Sequence, residues 1–210
     1  MELQLALDLV NIPEAKKLVK EVEAFIDIIE IGTPVVINEG LRAVKEIKDE
    51  FPNLKVLADL KIMDAGGYEV MKASEAGADI ITVLGVSDDS TIQGAVEEAR
   101  KHNRKIMVDM INVKNLEERA KEIDALGVDY ICVHSGYDHQ AAGKNSFEEL
   151  RAIKRVVINA KTAIAGGIKL DTLKEVISAS PDLVIVGGGI TGVEDKQIVA
   201  AEMQRLVKQG

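Results

Sequence analysis

Ala58-Asp59-Leu60-Lys61-Ile62-Met63-Asp64-Ala65-Gly66 sets two aspartates and a lysine where an apolar run ends. In extended chain, side chains two residues apart share a face, so Asp59 and Lys61 project together above Leu57. Packing alone would have continued Val56-Leu57 as Val or Ile. Charges at the end of a buried strand are costly unless they pair with one another, a metal or a ligand. This strand end is therefore built for chemistry.

Working outward, the same design recurs along the chain. Apolar, β-branched runs fall at Leu3–Leu7, Asp27–Ile31, Lys55–Leu60, Ile80–Leu84, Lys105–Met110, Tyr130–His134, Thr162–Ala165 and Leu183–Val186. Each is followed by an amphipathic segment, about one strand–helix unit per run. Ala15, Leu18, Val19 and Val22 form one helical stripe, and Leu116, Ala120, Ile123 and Leu126 another. Pro13 suits the first turn of one helix, and Asp88-Asp89-Ser90 is placed to cap the helix that follows it. Gly77 and Gly127 stand where glycines end helices. Eight such units in 210 residues predict a single (β/α)8 TIM barrel over residues 1–210, eight parallel strands with outer helices. An open doubly wound sheet would need shorter or more polar edge strands than these.

Polar residues collect at one end of the runs. Strand one ends in Asp8, strand two reaches Glu30, strand three Asp59 and Lys61, strand five Asp109, and strand six His134. Strands seven and eight end in Gly166-Gly167 and Gly187-Gly188-Gly189. A lone aspartate after a strand is usually a turn or cap residue. Convergence on one barrel face, with matching parity on strands one, three and five, points instead to an active site. The glycines permit the close backbone approach that a phosphate requires, so Gly166, Gly167, Gly188 and Gly189 are the candidate phosphate-binding residues.

Composition narrows the partners. The net charge is −9, aromatic residues make up 3% and Trp is absent, so there is neither a basic stripe nor a stacking platform for nucleic acid. No apolar run is long enough to span a bilayer, and the N-terminus carries no signal-peptide pattern. The single cysteine, Cys132, excludes an intrachain disulfide and suggests a cytoplasmic setting.

The Asp59-x-Lys61-x-x-Asp64 motif resembles the orotidine 5′-monophosphate decarboxylase superfamily. Leu5–Asp8, Asp27–Pro34, Thr82–Gly85, Asp88–Ile92 and Val133–Asp138 extend the resemblance over essentially the full chain. Within the superfamily the chain is similar to the 3-hexulose-6-phosphate synthase family. The 3-keto-L-gulonate-6-phosphate decarboxylases share most of these residues but place arginines where this chain has Tyr137 and Gly189.

The resemblance implies a Mg²⁺-dependent aldol addition of formaldehyde to the phosphosugar D-ribulose 5-phosphate. Glu30 and Asp59 are the candidate metal ligands. Lys61 would hold the intermediate or the carboxylates, and His134 is the candidate acid/base. Asp8 would bind sugar hydroxyls or orient Lys61, and Asp109 would assist. The resemblance further implies a homodimer in which Asp64 enters the partner's site, and a separate 6-phospho-3-hexuloisomerase acting on the product. Rival readings are decarboxylation of 3-keto-L-gulonate 6-phosphate, a Schiff-base aldolase working through Lys61, and a non-catalytic phosphosugar-binding barrel.

Overall fold

Eight parallel strands close on themselves in sequence order: β1 (Glu2–Leu7), β2 (Ile28–Ile31), β3 (Lys55–Ile62), β4 (Ile80–Leu84), β5 (Lys105–Asp109), β6 (Tyr130–His134), β7 (Lys161–Ala165) and β8 (Leu183–Val186). The ring shuts where Leu3 pairs with Val184 and Leu5 with Val186. The structure is a computed structural model and describes residues 1–136, 138 and 146–210. The predicted (β/α)8 barrel is therefore the observed fold, with strand ends within two residues of those read from the sequence.

Strand parity divides the apolar residues into two cores. Ala6, Ile28, Leu57, Ile80, Met107, Tyr130, Cys132, Ala163, Ala165, Leu183 and Ile185 fill the barrel interior. The alternate residues, such as Leu5, Ile29, Val56, Ile81, Val108 and Val133, face outward onto the helices. Both faces of each strand are thus covered, as an all-parallel sheet requires.

The helices start and stop on local signals. In α1 (Ile12–Val22), Asn11 Oδ1 accepts from the Glu14 amide at 2.9 Å, and the Glu14 carboxylate accepts from the Asn11 amide at 3.0 Å. This reciprocal cap is joined by Pro13 in the first turn. The predicted stripe Ala15, Leu18, Val19 and Val22 is buried. Gly77 and Gly127 follow α4 (Gly66–Glu75) and α6 (Leu116–Ala125) at φ +95° and +80°. Asp88 occupies the cap position of α5 (Asp89–Lys101), but its side chain makes no capping bond there. Further helices are α2 (Thr33–Glu39), α3 (Arg42–Glu50), α7 (Phe147–Lys154), α8 (Leu173–Ser178), α9 (Gly188–Thr191) and α10 (Lys196–Gln209).

The N-terminal face carries carboxylates of a different kind. Asp27, Asp79, Asp129 and Asp182 each precede an even-numbered strand. Each accepts from a backbone amide of the preceding odd-numbered strand: Leu3, Val56, Ile106 and Thr162 respectively, at 2.8–3.0 Å. These four aspartates begin the pairing of each strand couple and satisfy amides that would otherwise be orphaned. They are structural. The carboxylates at the opposite face have no such backbone ladder to complete, and that is where the chemistry collects.

One irregularity in the ladder decides the site. Between β3 and β4 the pairing runs Leu57–Ile80 and Ala58–Ile81, then jumps to Ile62–Val83. Asp59, Leu60 and Lys61 therefore bulge opposite the single residue Thr82. Lys61 adopts φ +48°, a left-handed conformation uncommon for a non-glycine residue.

Candidate active site

The C-terminal mouth of the barrel opens into a cavity of about 530 Å³, lined by Asp8, Glu30, Thr33, Asp59, Lys61, Thr82, Asp109, His134 and the glycine loops after β7 and β8. Lys61 stands at its charged centre. Its ammonium pairs with Asp59, donates to Thr33 Oγ1 at 3.2 Å and lies 3.7 Å from Asp109 Oδ2. Burial disfavours the charged form, but Asp59 and Asp109 outweigh it and push the lysine up to about 12. Lys61 therefore stays an ammonium, suited to stabilising negative charge.

Asp59 is held on both sides. Thr82 Oγ1 donates to its Oδ1 at 2.8 Å, while Oδ2 faces Lys61 and the Thr33 hydroxyl. On β5, Asp109 accepts from the Ile111 amide at 2.9 Å and contacts His134 Nδ1 at 2.8 Å. Burial works against charge on both partners. Their mutual attraction prevails, so the carboxyl is held below its ordinary value and the imidazole above. With Nδ1 engaged, Nε2 is the ring atom left for a substrate proton.

Glu30 is the misfit in the cluster. Burial, reinforced by repulsion from Asp59, pushes it up to about 8, although Gln4 Nε2 donates to it at 2.6 Å. Asp8 is raised by burial and by Asp59 as well. Two neighbouring carboxyls that resist ionisation together make a pair that a cation would relieve. The donors are all oxygen, as Mg²⁺ prefers. Among the described residues no group of three or more His, Cys, Asp and Glu forms a protein-only cage. Mg²⁺ keeps several waters and needs only one or two carboxylates, so Glu30 and Asp59 fit it.

The glycine loops meet at the opposite wall. Gly166 and Gly167 adopt φ +99° and +69°, backbone open to glycine. A Cβ at Gly189 would stand 2.3 Å from the Ile168 carbonyl oxygen, whereas one at Gly188 would meet nothing within 4 Å. The two late loops thus interlock and leave Gly188 facing open space.

The predicted residues Asp8, Glu30, Asp59, Lys61, Asp109 and His134 share this cavity, as do the four glycines. Asp64 does not line it. It sits exposed after β3, where its carboxylate accepts from the Ala65 amide at 2.7 Å. Tyr137 lies outside the described residues. Sequence reasoning missed Gln4, Thr33, Thr82 and Gly32. Parity could have found Gln4 and Thr82, which share the interior face of β1 and β4 with Ala6 and Ile80. Gly32 gave no such signal: a Cβ there would fall 2.1 Å from Asp8 Oδ1, so the glycine makes room for that carboxylate.

Residues 1–203 match the model of the orotidine 5′-phosphate decarboxylase / HUMPS family. The chain is 78% identical to 3-hexulose-6-phosphate synthase from Bacillus subtilis (strain 168) over 210 residues, 100% of both chains. The crystal structure of 3-hexulose-6-phosphate synthase from Salmonella typhimurium matches with a TM-score of 0.98 at 42% identity, covering 100% of this chain and 99% of that one. A 3-keto-L-gulonate-6-phosphate decarboxylase from Vibrio cholerae is more distant, at 26% identity and TM-score 0.86, covering 99% of this chain and 97% of that one.

Proposed function

We propose that this chain, which belongs to the orotidine 5′-phosphate decarboxylase / HUMPS family, joins formaldehyde to D-ribulose 5-phosphate and gives D-arabino-hex-3-ulose 6-phosphate. The chain is an enzyme, a carbon–carbon lyase of aldolase type. The observation that carries the reading is the half-buried ammonium of Lys61 between Asp59 and Asp109, with His134 hydrogen-bonded to the same Asp109.

The reaction must remove a C1 proton from a 2-keto sugar and hold the enediolate that results. His134, its Nδ1 fixed by Asp109, takes that proton at Nε2. Lys61 donates to the oxygen on which charge develops, within a cavity where water screens little. C1 then forms a bond to the carbonyl carbon of formaldehyde, and His134 returns its proton to the former carbonyl oxygen. Mg²⁺, held by Glu30 and Asp59, would neutralise the enediolate as a Lewis acid. Asp8, with room made by Gly32, orients the sugar hydroxyls. The phosphate rests against the backbone of Gly166, Gly167, Gly188 and Gly189, so that binding at a remote group fixes the reacting carbon.

Two rivals fare worse. A Schiff-base route needs a neutral lysine, and Lys61 is held charged. The decarboxylase reading calls for an arginine at position 189, where even a methyl group would strike the Ile168 carbonyl.

A homodimer with shared sites fits the exposed apolar side chains Ile37, Met63 and Tyr68, which are 77%, 54% and 62% exposed. Met63 neighbours Asp64, so a partner docked there would bring Asp64 towards its cavity. The lone buried thiol suits a reducing, cytoplasmic setting, and a separate isomerase would draw off the hexulose phosphate. Among the described residues no helix is long and apolar enough to cross a membrane.

The test is product analysis with ribulose 5-phosphate and formaldehyde, with and without Mg²⁺, alongside 3-keto-L-gulonate 6-phosphate. Metal-dependent hexulose phosphate formation is expected. Turnover of the gulonate alone would overturn the assignment, and binding without turnover would make the protein a sensor.

A further inference from the structure

We infer that Thr82 is the positioning residue of the site, setting Lys61 and Asp59 in reach of one another by clamping the bulge between them. The inference deepens the proposed aldol reaction and rests on it for its kinetic consequence. The clamp itself rests on geometry alone.

The ladder between β3 and β4 has three residues, Asp59, Leu60 and Lys61, opposite one residue, Thr82. A bulge of that kind leaves backbone groups without their regular partners. Here the Lys61 amide has turned from the ladder and donates to Thr82 Oγ1 at 2.9 Å. The same hydroxyl donates its own proton to Asp59 Oδ1 at 2.8 Å. One buried hydroxyl, 3% exposed, therefore ties the backbone of the ammonium residue to the side chain of the carboxylate it faces.

The geometry gives this link a purpose beyond packing. Lys61 holds φ +48°, which an L-residue adopts only where the surroundings over-determine it. The Thr82 bond is a fixed point on that residue's own amide. Of the interior positions near the top of the barrel wall, Thr82 is also the polar contribution of β4, whose end, like those of β7 and β8, bears no charged residue. A valine in its place would keep the shape and the strand preference. It would leave the Lys61 N–H and Asp59 Oδ1 without a buried partner, and it would free the lysine backbone to relax.

The experiment compares Thr82→Val and Thr82→Ser with the unaltered full chain. Exchange of the Lys61 backbone amide, followed by NMR, reads the clamp. Steady-state kinetics with ribulose 5-phosphate, formaldehyde and Mg²⁺ reads its consequence. Thr82→Val is expected to speed exchange at the Lys61 amide while the Val83 amide stays protected. It should lower kcat about 10- to 100-fold with KM for the pentulose phosphate changed by no more than about twofold. Thr82→Ser, which keeps the hydroxyl, should restore both. Should Thr82→Val not fold, Thr82→Ala removes the hydroxyl with less crowding and takes its place.

An unchanged Lys61 amide in the valine variant, or a serine variant as impaired as the valine one, overturns the inference. A loss expressed mainly in KM does so too. If the unaltered protein did not convert ribulose 5-phosphate, the proposed function would fail, while the amide comparison would still decide the clamp.

Discussion

His134 Nδ1 and Asp109 Oδ2 stand 2.8 Å apart across the neighbouring strands β6 and β5, and each shifts the other's proton affinity. His134 is raised above its ordinary 6.5 despite burial, so its share of the stability is complete below pH 6.5 and fades as pH rises through the folded-state value. Asp109 is lowered from 3.8 despite burial, so its share is complete above that pH and is lost on acidification through the lower folded-state value. Asp109→Asn should therefore let His134 titrate at lower pH, as seen by NMR of the imidazole. The stability gap from the unaltered protein in urea should be widest between pH 3.8 and 6.5. An imidazole titration that does not move would refute the coupling.

Glu30 sets a pH dependence opposite in sense to that of Asp109. With the folded-state carboxyl raised from 4.5 to about 8, stability falls progressively across that interval, because the unfolded chain gives up the proton that the folded one keeps. In EDTA, Glu30→Gln should melt higher than the unaltered protein at pH 9, by about 2–4 °C for each kcal/mol relieved. The two should converge below pH 4.5. If Glu30 holds magnesium, the ion must displace the proton, so its affinity should climb with pH up to about 8 and then level off, with proton release visible by calorimetry in buffers of different ionisation enthalpy. Equal affinity at pH 6 and 8.5 would exclude Glu30 as a ligand.

Lys61 supplies an ammonium at the centre of the carboxylates. Lys61→Met should cut kcat by about 10²–10³-fold or more, the scale of losing a preorganised donor. It should also destabilise the protein, because it leaves Asp59, only 6% exposed at the side chain, without its counter-charge. Pentulose phosphate binding at the glycine wall should persist. Borohydride added during turnover should trap no adduct on Lys61, and a covalent product there would revive the Schiff-base route.

Much of this was legible because strand periodicity is strict. The runs from Leu3 to Val186 displayed their parity openly, and that parity put Asp8, Glu30, Asp109 and His134 on the inner face at the strand ends. Asp59 and Lys61 were placed correctly, but for an incomplete reason. They meet across a bulge with a left-handed lysine, and such a bulge depends on the pairing strand, which local sequence does not reveal. Thr82 and Gln4 were read only as strand residues; their parity puts them on the inner face, but it does not reveal the carboxylates, Asp59 and Glu30, that they bond. Gly32 acts through the absence of a side chain, a role visible only when the Asp8 oxygen beside it is known. Asp64 is polar, exposed and outside the cavity of its own chain, so nothing in one chain assigns it a substrate.

Gly188 and Gly189 are adjacent, yet a methyl group should act on them by different routes. At Gly189 the added Cβ would sit 2.3 Å from the Ile168 carbonyl oxygen, a backbone atom that cannot swing aside. Gly189→Ala should therefore push the loops after β7 and β8 apart, lowering both Tm and activity. At Gly188 the methyl meets no protein atom within 4 Å and projects into the open space of the cavity wall. The fold should tolerate it with an unchanged Tm. If a phosphate lies against that backbone, Gly188→Ala must crowd it, and KM for ribulose 5-phosphate should rise about tenfold, the scale of one lost or strained charge-assisted contact, with kcat largely kept. A Gly188→Ala enzyme with unaltered KM would place the phosphate elsewhere, whatever the fate of Gly189→Ala.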